Sequence, residues 1–190
     1  FLGPPGTAKS LMVSYFTKAI NARFFGALMH SQSTKDELFG VSDPNEYLNH
    51  GRLRYNTKGM LPECEVAFLD EIFKSNASTL NSLLMVLNER QFVNGDQILD
   101  MDLLNVYSGS NEIPEEEDLA ALYDRFLIRI WVPYLADSAS FSSLLANGTP
   151  TAPTSSLTAS DVRSARAEVA KVKFDVAAQH AVLKLKKELE

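Results

Sequence analysis

Eight residues near the start of the chain, Gly3-Pro4-Pro5-Gly6-Thr7-Ala8-Lys9-Ser10, constrain its fold more than any other feature. They follow the pattern G-x-x-x-x-G-K-[ST] everywhere except before the lysine, where alanine replaces glycine. A loop of this kind leads from a strand into a helix and turns its backbone N–H groups toward a phosphate. The pattern therefore predicts a strand, a phosphate-binding loop and a helix, in that order.

Ala8 decides whether this loop is intact. A methyl group at this place is harmful only where the backbone has a positive φ or a phosphate approaches Cα directly. We expect Ala8 to belong already to the helix that begins near Lys9, and alanine is the best helix former. Lys9 would then neutralise the β- and γ-phosphates of ATP, and Ser10 would bind Mg²⁺. A glycine-proline turn before a helix is the simpler interpretation of the same residues.

A second constraint is the apolar run Val66-Ala67-Phe68-Leu69, which ends in Asp70 and Glu71. Such a run predicts a buried parallel strand with acidic residues at its carboxyl end, where ligands bind. Asp70 would contribute to the Mg²⁺ shell, and Glu71 would orient and deprotonate an attacking water. An acidic pair that begins the next helix explains these two residues equally well. The order of glycine loop and acidic strand end favours nucleotide binding.

Two later segments carry further candidates. Asn111 follows a predicted strand, and it would position the lytic water if that strand lies between the other two; otherwise it is a turn residue before a proline. Arg125 is a candidate arginine finger for the γ-phosphate of a neighbouring subunit, or a cation at a helix C-terminus. Arg129 and Arg90 are the fallback candidates for the finger.

Strand-like and helix-like segments alternate along the chain. Strands are predicted over 24–30, 65–69, 103–108 and 126–132, with helices from Lys9, from residue 33 or 34, over 76–87 and over 115–123. Residues 40–62 read as an inserted loop or hairpin, and 88–96 as a turn-rich exit from a helix. The first helix is expected to bury one face, made of Met12, Tyr15, Phe16, Ala19 and Ile20. The alternation predicts a parallel sheet covered by helices on both faces.

Composition narrows the function classes. The net charge of −6 and the pI near 5.1 give no broad basic field, so nucleic acid is not an expected partner. Cys64 is the only cysteine, which excludes an internal disulfide and favours a reducing, cytoplasmic setting. The three histidines lack ligand-like spacing, so zinc is not expected. No apolar run reaches the roughly 20 residues of a transmembrane segment.

We expect a nucleotide-binding core over residues 1–146, a Thr-, Ser- and Pro-rich linker over 147–160, and the start of an incomplete helical lid over 161–190. Only Phe1 and Leu2 precede the glycine loop, so we also expect the natural chain to begin further upstream.

Four segments together resemble a known family: "GPPGTAKS", "VAFLDEIFKSNASTLNSLLMVLNERQFVNG", "GSNEIPE" and "LAALYDRFLIRIW". The chain resembles MoxR-family AAA+ ATPases, and within them the RavA type, whose loops also carry alanine before the lysine. By position, Gly3 to Ser10 is similar to Walker A, Asp70 and Glu71 to Walker B, Asn111 to sensor 1 and Arg125 to the arginine finger. Residues 40–62 resemble the insert in the second helix of this clade.

The resemblance implies an α/β P-loop NTPase of the AAA+ type, with a three-layer α/β/α core, a parallel sheet and a partial all-α lid. It implies ATP and Mg²⁺ as cofactors, hexameric rings, and chaperone-like remodelling of a client complex beside a partner with a von Willebrand factor A domain. It also implies a sensor 2 arginine in the lid. Arg163 and Arg166 are too close to the start of the lid to match that position.

Two other functions stay open at this point. One is a non-catalytic module in which nucleotide binding organises partners, as the incomplete lid would favour and the intact Glu71 would not. The other is a DNA-remodelling motor, which would need basic pore loops; Arg52, Arg54 and Lys58 form the single basic cluster of that kind in the sequence.

Overall fold

The computed structural model describes residues 1–113, 117–147, 153 and 157–189. The chain divides into two compact units, Phe1–Ser156 and Leu157–Glu190. The first unit contains a parallel sheet and the candidate site. The described part of the second unit consists of two helices, α7 (Ala159–Val169) and α8 (Val176–Leu189).

The main sheet of the first unit has three parallel strands in the order β1-β2-β5. These strands are β1 (Phe24–Leu28), β2 (Val66–Asp70) and β5 (Asn105–Ser108). Beyond β5, single bridges join Leu2 to Ser110 and to Trp131. The segment that enters the glycine loop therefore lies next to β5, and β5 separates it from β2.

Helices cover both faces of this sheet. α1 (Lys9–Ala19) packs against β2, and α4 (Ala77–Glu89) packs against α5 (Glu117–Arg125) on the side of the main apolar cluster. Three shorter or later helices complete the unit: α2 (Lys35–Phe39), α3 (Pro44–His50) and α6 (Ser138–Asn147). The α/β/α arrangement and the parallel sheet confirm the fold class predicted from the sequence.

Strand β2 lies at the centre because its sequence suits burial on both faces. Ala67 and Leu69 belong to the apolar cluster that contains Leu80, Leu83 and Val86 of α4, whereas Val66 and Phe68 are buried outside that cluster. The helix after it begins as predicted at Asn76, whose side chain accepts a hydrogen bond from the Thr79 N–H at 3.0 Å.

The predicted buried face of α1 is wrong for Met12 and Phe16, whereas Ile20, directly after the helix, is buried as predicted. Met12 and Phe16 are 41% and 40% exposed, and the buried positions are Lys9, Val13 and Thr17. Polar side chains can be buried here because each has partners: the Thr17 hydroxyl donates to the Val13 carbonyl at 2.8 Å, and the Lys9 ammonium donates into the glycine loop. The prediction failed because the buried face contains Lys9 and Thr17, and a pattern of apolar residues alone does not indicate buried polar positions.

The expectation that Ala8 lies within the helix is also wrong. Ala8 is the residue that precedes α1, and its backbone is left-handed, with φ 61° and ψ 27°. This conformation costs an L-residue about 1–2 kcal/mol, which explains why the loop pattern asks for glycine at this place. The alanine is therefore accommodated at a cost in backbone strain.

Residues 126–132 do not form the predicted strand. Their pairing is limited to Leu2, whose N–H donates to the Ile130 carbonyl and whose carbonyl accepts from the Val132 N–H. At Gly3 the chain turns into the loop with φ 144°, and a Cβ there would lie 2.3 Å from the Val132 carbonyl oxygen. Because Leu2 is the only described residue that pairs with this segment, an isolated β-bridge forms and not a continuous strand.

The segment interpreted as a loop or hairpin, 40–62, and the turn-rich segment after α4 contain regular structure that the sequence analysis missed. Residues 40–62 hold α3 and a bridge between Ser42 and Tyr55, and the segment after α4 forms an antiparallel hairpin, β3 (Gln91–Asn94) and β4 (Gln97–Asp100). Long-range contacts stabilise both. Phe92 stacks on Phe39 with ring centroids 5.0 Å apart.

Asn94 joins the hairpin to the insert. Its buried side-chain amide accepts from the Tyr55 N–H at 2.6 Å and donates to the Tyr55 carbonyl at 3.1 Å. Beside it, Arg54 donates twice to Asp96, at 3.0 and 3.1 Å, and these hydrogen bonds lower the pKa of Asp96. The insert and the hairpin therefore form one continuous surface element.

The predicted linker, 147–160, lies partly outside the described residues. Within the described part, α6 ends at Asn147 and α7 begins at Ala159, inside the predicted linker. A capping box between Thr158 and Asp161 fixes this start.

Replacing Asn94 with alanine is expected to lower the free energy of unfolding by about 2 kcal/mol, because two buried backbone groups of Tyr55 lose their partners. Urea denaturation of the wild type and of Asn94→Ala measures this change in the free energy of unfolding. The matched control is Gln97→Ala, at the exposed position directly opposite Asn94 in the same hairpin, with an expected change below about 0.5 kcal/mol. Equal effects of the two changes would contradict the assigned role of Asn94.

Replacing Ala8 with glycine is expected to raise the free energy of unfolding by about 1 kcal/mol, because glycine adopts the left-handed conformation without strain. Ala19→Gly, at the last helical position of α1, should bring no gain and a small loss. A loss of stability in Ala8→Gly would show that the backbone at this position is not strained.

Candidate phosphate-binding site

The glycine loop wraps around the side chain of its own lysine. Lys9 is buried, with 7% exposure, and its ammonium donates to the carbonyls of Gly3 at 2.8 Å and Pro4 at 3.0 Å. The Thr7 hydroxyl also donates to the Pro4 carbonyl, at 3.1 Å. These bonds hold the loop in a closed turn around a fixed positive charge.

The third donor of the Lys9 ammonium reaches the adjacent strand end. It binds the Asn111 side-chain oxygen at 3.1 Å, and the Asn111 amide nitrogen in turn donates to Glu71 through a short hydrogen bond. This contact depends on the strand order, because β5 lies between Leu2 and β2. The condition placed on Asn111 from the sequence is thus met.

Asp70 and Glu71 occupy the carboxyl end of β2, as the sequence predicts. The Asp70 side chain accepts from the Glu71 N–H at 3.2 Å, and Glu71 takes a left-handed backbone with φ 52°. Opposite Asp70 lies Gly109, where a Cβ would stand 2.2 Å from the carboxylate oxygen. The sequence analysis missed Gly109; its signal is a glycine directly after a strand that borders the acidic one.

These groups line one cavity of about 330 Å³. Its lining contains most of the predicted site residues and one that was not predicted, Leu11; the predicted ones are Pro5, Gly6, Thr7, Ala8, Lys9, Ser10, Asp70, Glu71 and Asn111. Gly3 and Pro4 stand behind it and contribute their carbonyls to Lys9. A cation, backbone donors, a hydroxyl and two carboxylates in one concave site suit a phosphorylated ligand with a divalent ion.

The oxygen donors suit a hard divalent cation such as Mg²⁺. Ser10 and Asp70 line the same cavity, and Mg²⁺ is usually held by one or two such protein oxygens together with substrate phosphates. Across the described residues, no group of three or more His, Cys, Asp and Glu side chains could hold a metal ion unaided. Burial raises the pKa of the Cys64 thiol to about 12, so that thiol supplies no thiolate ligand or nucleophile.

The three candidate arginines are not brought into this cavity. Arg125 is the last residue of α5 and lines a different cavity, beside Phe126 and Tyr107. Arg129 lies over the Tyr123 ring at 4.1 Å and donates to the Tyr123 carbonyl at 3.2 Å. Arg90 follows α4 at its C-terminus. Among the described residues, no arginine therefore lines the phosphate cavity of its own chain.

No helix within the described ranges combines the length and apolar character that crossing a bilayer requires.

Comparison with known proteins agrees with this geometry. A family model for the MoxR domain of MoxR-vWA-beta-propeller ternary systems matches residues 1–173. An uncharacterised protein of Methanocaldococcus jannaschii is 41% identical over 172 residues, which span 90% of this chain and 46% of that protein. A second uncharacterised protein of the same organism is 47% identical over 129 residues, spanning 68% of this chain and 34% of its own length.

More distant likenesses support the fold. A structural protein of Acidianus two-tailed virus is 29% identical over 146 residues, covering 72% of this chain and 24% of the viral protein. The crystal structure of a predicted ATPase from Cytophaga hutchinsonii superposes with a TM-score of 0.75 at 21% identity, covering 97% of this chain and 57% of that one. The chain thus spans about half, or less, of the length of the curated relatives named here. The family match over most of the chain, with the sheet order and the cavity described above, shows that the chain belongs to the MoxR family of AAA+ ATPases.

Proposed function

We propose that this protein binds and hydrolyses Mg-ATP and uses the turnover for chaperone-like remodelling or maturation of a partner protein complex. The observation that carries the proposal is the continuous chain of contacts from Lys9 through Asn111 to Glu71 around one cavity. This chain connects a phosphate-binding cation to a base suited to activating water.

Each residue has a proposed task. Lys9 and the loop N–H groups bind the β- and γ-phosphates, while Ser10 and Asp70 hold Mg²⁺, which would neutralise charge on the phosphate oxygens. Glu71 orients the attacking water and accepts its proton. Asn111 positions that water, since its side chain already binds Glu71.

Phosphate binding would displace contacts that Lys9 makes to neutral groups. All three donors of the ammonium are engaged, by the carbonyls of Gly3 and Pro4 and by Asn111. Hydrogen bonds between an ammonium and an anionic oxygen are stronger than those to a carbonyl, so a phosphate would compete well for this side chain. Exchange of partners at Lys9 thus signals occupancy of the loop to Asn111.

The proposed assembly is a homo-hexamer in which Arg125 reaches the γ-phosphate of a neighbouring subunit. Supporting this, Arg125 is exposed at the end of α5, whereas Arg129 is engaged by Tyr123. The proposed partner carries a von Willebrand factor A domain, with a β-propeller protein as third component, because the matching family is described from such ternary systems. The RavA-like type and a cytoplasmic setting belong to the same proposal.

The DNA-motor alternative gains no support from the basic cluster. Arg54 lies 3.6 Å from Glu46 and 3.0 Å from Asp96, and Arg52 lies 3.7 Å from Asp96. Carboxylates thus offset two of the three charges that would contact phosphates.

Glu71→Gln in the full-length protein is expected to reduce ATP turnover at least about 100-fold, because the general base is lost. ATP affinity should be nearly unchanged, since Lys9 and the loop remain. Steady-state phosphate release and equilibrium nucleotide binding measure the two effects. Glu112→Gln, which replaces a neighbouring carboxylate outside the cavity lining, is the control. Wild-type turnover in Glu71→Gln would remove Glu71 from its role; binding with no turnover in the wild type would favour the non-catalytic module.

Mixing two inactive variants tests the arginine finger. Arg125→Ala should lose most activity alone, by a factor of roughly 1,000 or more. In mixed rings an Arg125→Ala subunit has an intact Glu71 and can receive Arg125 from a Glu71→Gln neighbour, so activity should rise above the sum of the separate variants. Arg129→Ala is the comparison. Absence of any gain on mixing, in rings shown to exchange subunits, would contradict a finger supplied by Arg125.

A further inference from the structure

Lys74 contacts the proposed catalytic base outside the phosphate cavity. Its ammonium lies 3.2 Å from the Glu71 carboxylate, and neither the loop pattern nor the acidic pair pointed to it. The spacing explains the contact: Glu71 precedes a short 3-10 turn, Ile72–Lys74, and side chains three residues apart lie on the same side of such a turn. The Lys74 N–H also donates to the Glu71 carbonyl, at 2.9 Å, which fixes the turn.

The two oxygens of the Glu71 carboxylate are engaged in opposite directions. Oε1 accepts from the Asn111 amide, and Oε2 faces the Lys74 ammonium. A rotation of the carboxylate would therefore break at least one of these contacts. Asn111 accepts a hydrogen bond from Lys9, the proposed phosphate ligand, whereas the described contacts of Lys74 include none with Lys9.

Exposure distinguishes the two ends of this ion pair. The Glu71 side chain is 15% exposed and the Lys74 side chain 54%. A half-exposed lysine pays entropy to hold one geometry and is screened by salt, so the pair is weak enough to open during turnover. An ion pair of this strength would slow the reaction of Glu71 with water without preventing it.

We propose that Lys74 is a positioning residue that restrains Glu71 away from the attacking water, so that opening of the Lys74–Glu71 pair limits basal ATP hydrolysis. The inference rests on the proposed function, because it assumes that Glu71 acts as the base. It assigns Lys74 no contact with nucleotide, since Lys74 does not line the phosphate cavity.

The test is steady-state ATP hydrolysis by full-length wild type, Lys74→Met and Lys74→Arg at saturating Mg-ATP. Methionine keeps the chain length without the charge, so kcat should rise about two- to fivefold with KM unchanged; a fivefold rise is what a weak ion pair can supply. Arginine keeps the pair and should restore wild-type kcat. Lys35→Met, an exposed lysine on α2, is the matched control.

Salt dependence separates the restraint from a merely structural role. Raising ionic strength at saturating nucleotide should accelerate the wild type and leave Lys74→Met nearly unchanged, because the screened pair exists in the wild type alone. Unchanged or lower kcat in Lys74→Met, with Glu71→Gln still inactive, would overturn the restraint while leaving the proposed function standing. Turnover independent of Glu71 would instead overturn the proposed function. If the wild type hydrolyses no ATP, a Lys74→Met variant that is also inactive overturns the restraint.

Discussion

Burial of strand β2 is the constraint on which the rest of the first unit depends. Val66, Ala67, Phe68 and Leu69 are almost fully buried, and the strand is paired on both edges. Burying a side chain such as Val66, Phe68 or Leu69 contributes roughly 1.5–3 kcal/mol each, so the register of β2 is strongly fixed. That register places Asp70 and Glu71 at the edge of the sheet where the glycine loop and Asn111 also end.

Two of the four non-glycine residues with positive φ in the described part of the chain line the phosphate cavity. Ala8 and Glu71 both adopt left-handed conformations, with φ 61° and 52°, and both line the phosphate cavity. Such conformations persist where the surrounding structure determines them, and they are typical of ligand sites. Ala8 directly precedes α1 and Glu71 directly follows β2, and the Lys9–Asn111–Glu71 contacts join the neighbour of Ala8 to Glu71.

The fold class followed from local sequence signals, and so did the grouping of the glycine loop with Asp70, Glu71 and Asn111 around one cavity, whereas Arg125 lies at another. A continuous apolar run predicts β2, a glycine loop predicts the start of α1, and parallel strands bring their carboxyl ends together. The missed hairpin depends on contacts distant in sequence, whereas the missed backbone conformation of Ala8 depends on a local one. The β3–β4 hairpin is stabilised by Phe39 and Tyr55, and the backbone of Ala8 by the loop that closes on Lys9. The sequence did not indicate Lys74, because its contact with Glu71 depends on the left-handed backbone of Glu71 and on the 3-10 turn that follows.

A crystal structure of full-length Glu71→Gln with Mg-ATP tests the central claim most directly, because this variant should retain the nucleotide unhydrolysed. The account predicts a triphosphate in the loop of residues 3–10, with the Lys9 ammonium bound to phosphate oxygens in place of the Gly3 and Pro4 carbonyls, and the metal ion beside Ser10 and Asp70. A nucleotide bound elsewhere on the protein, with Lys9 still held by those two carbonyls, would contradict it.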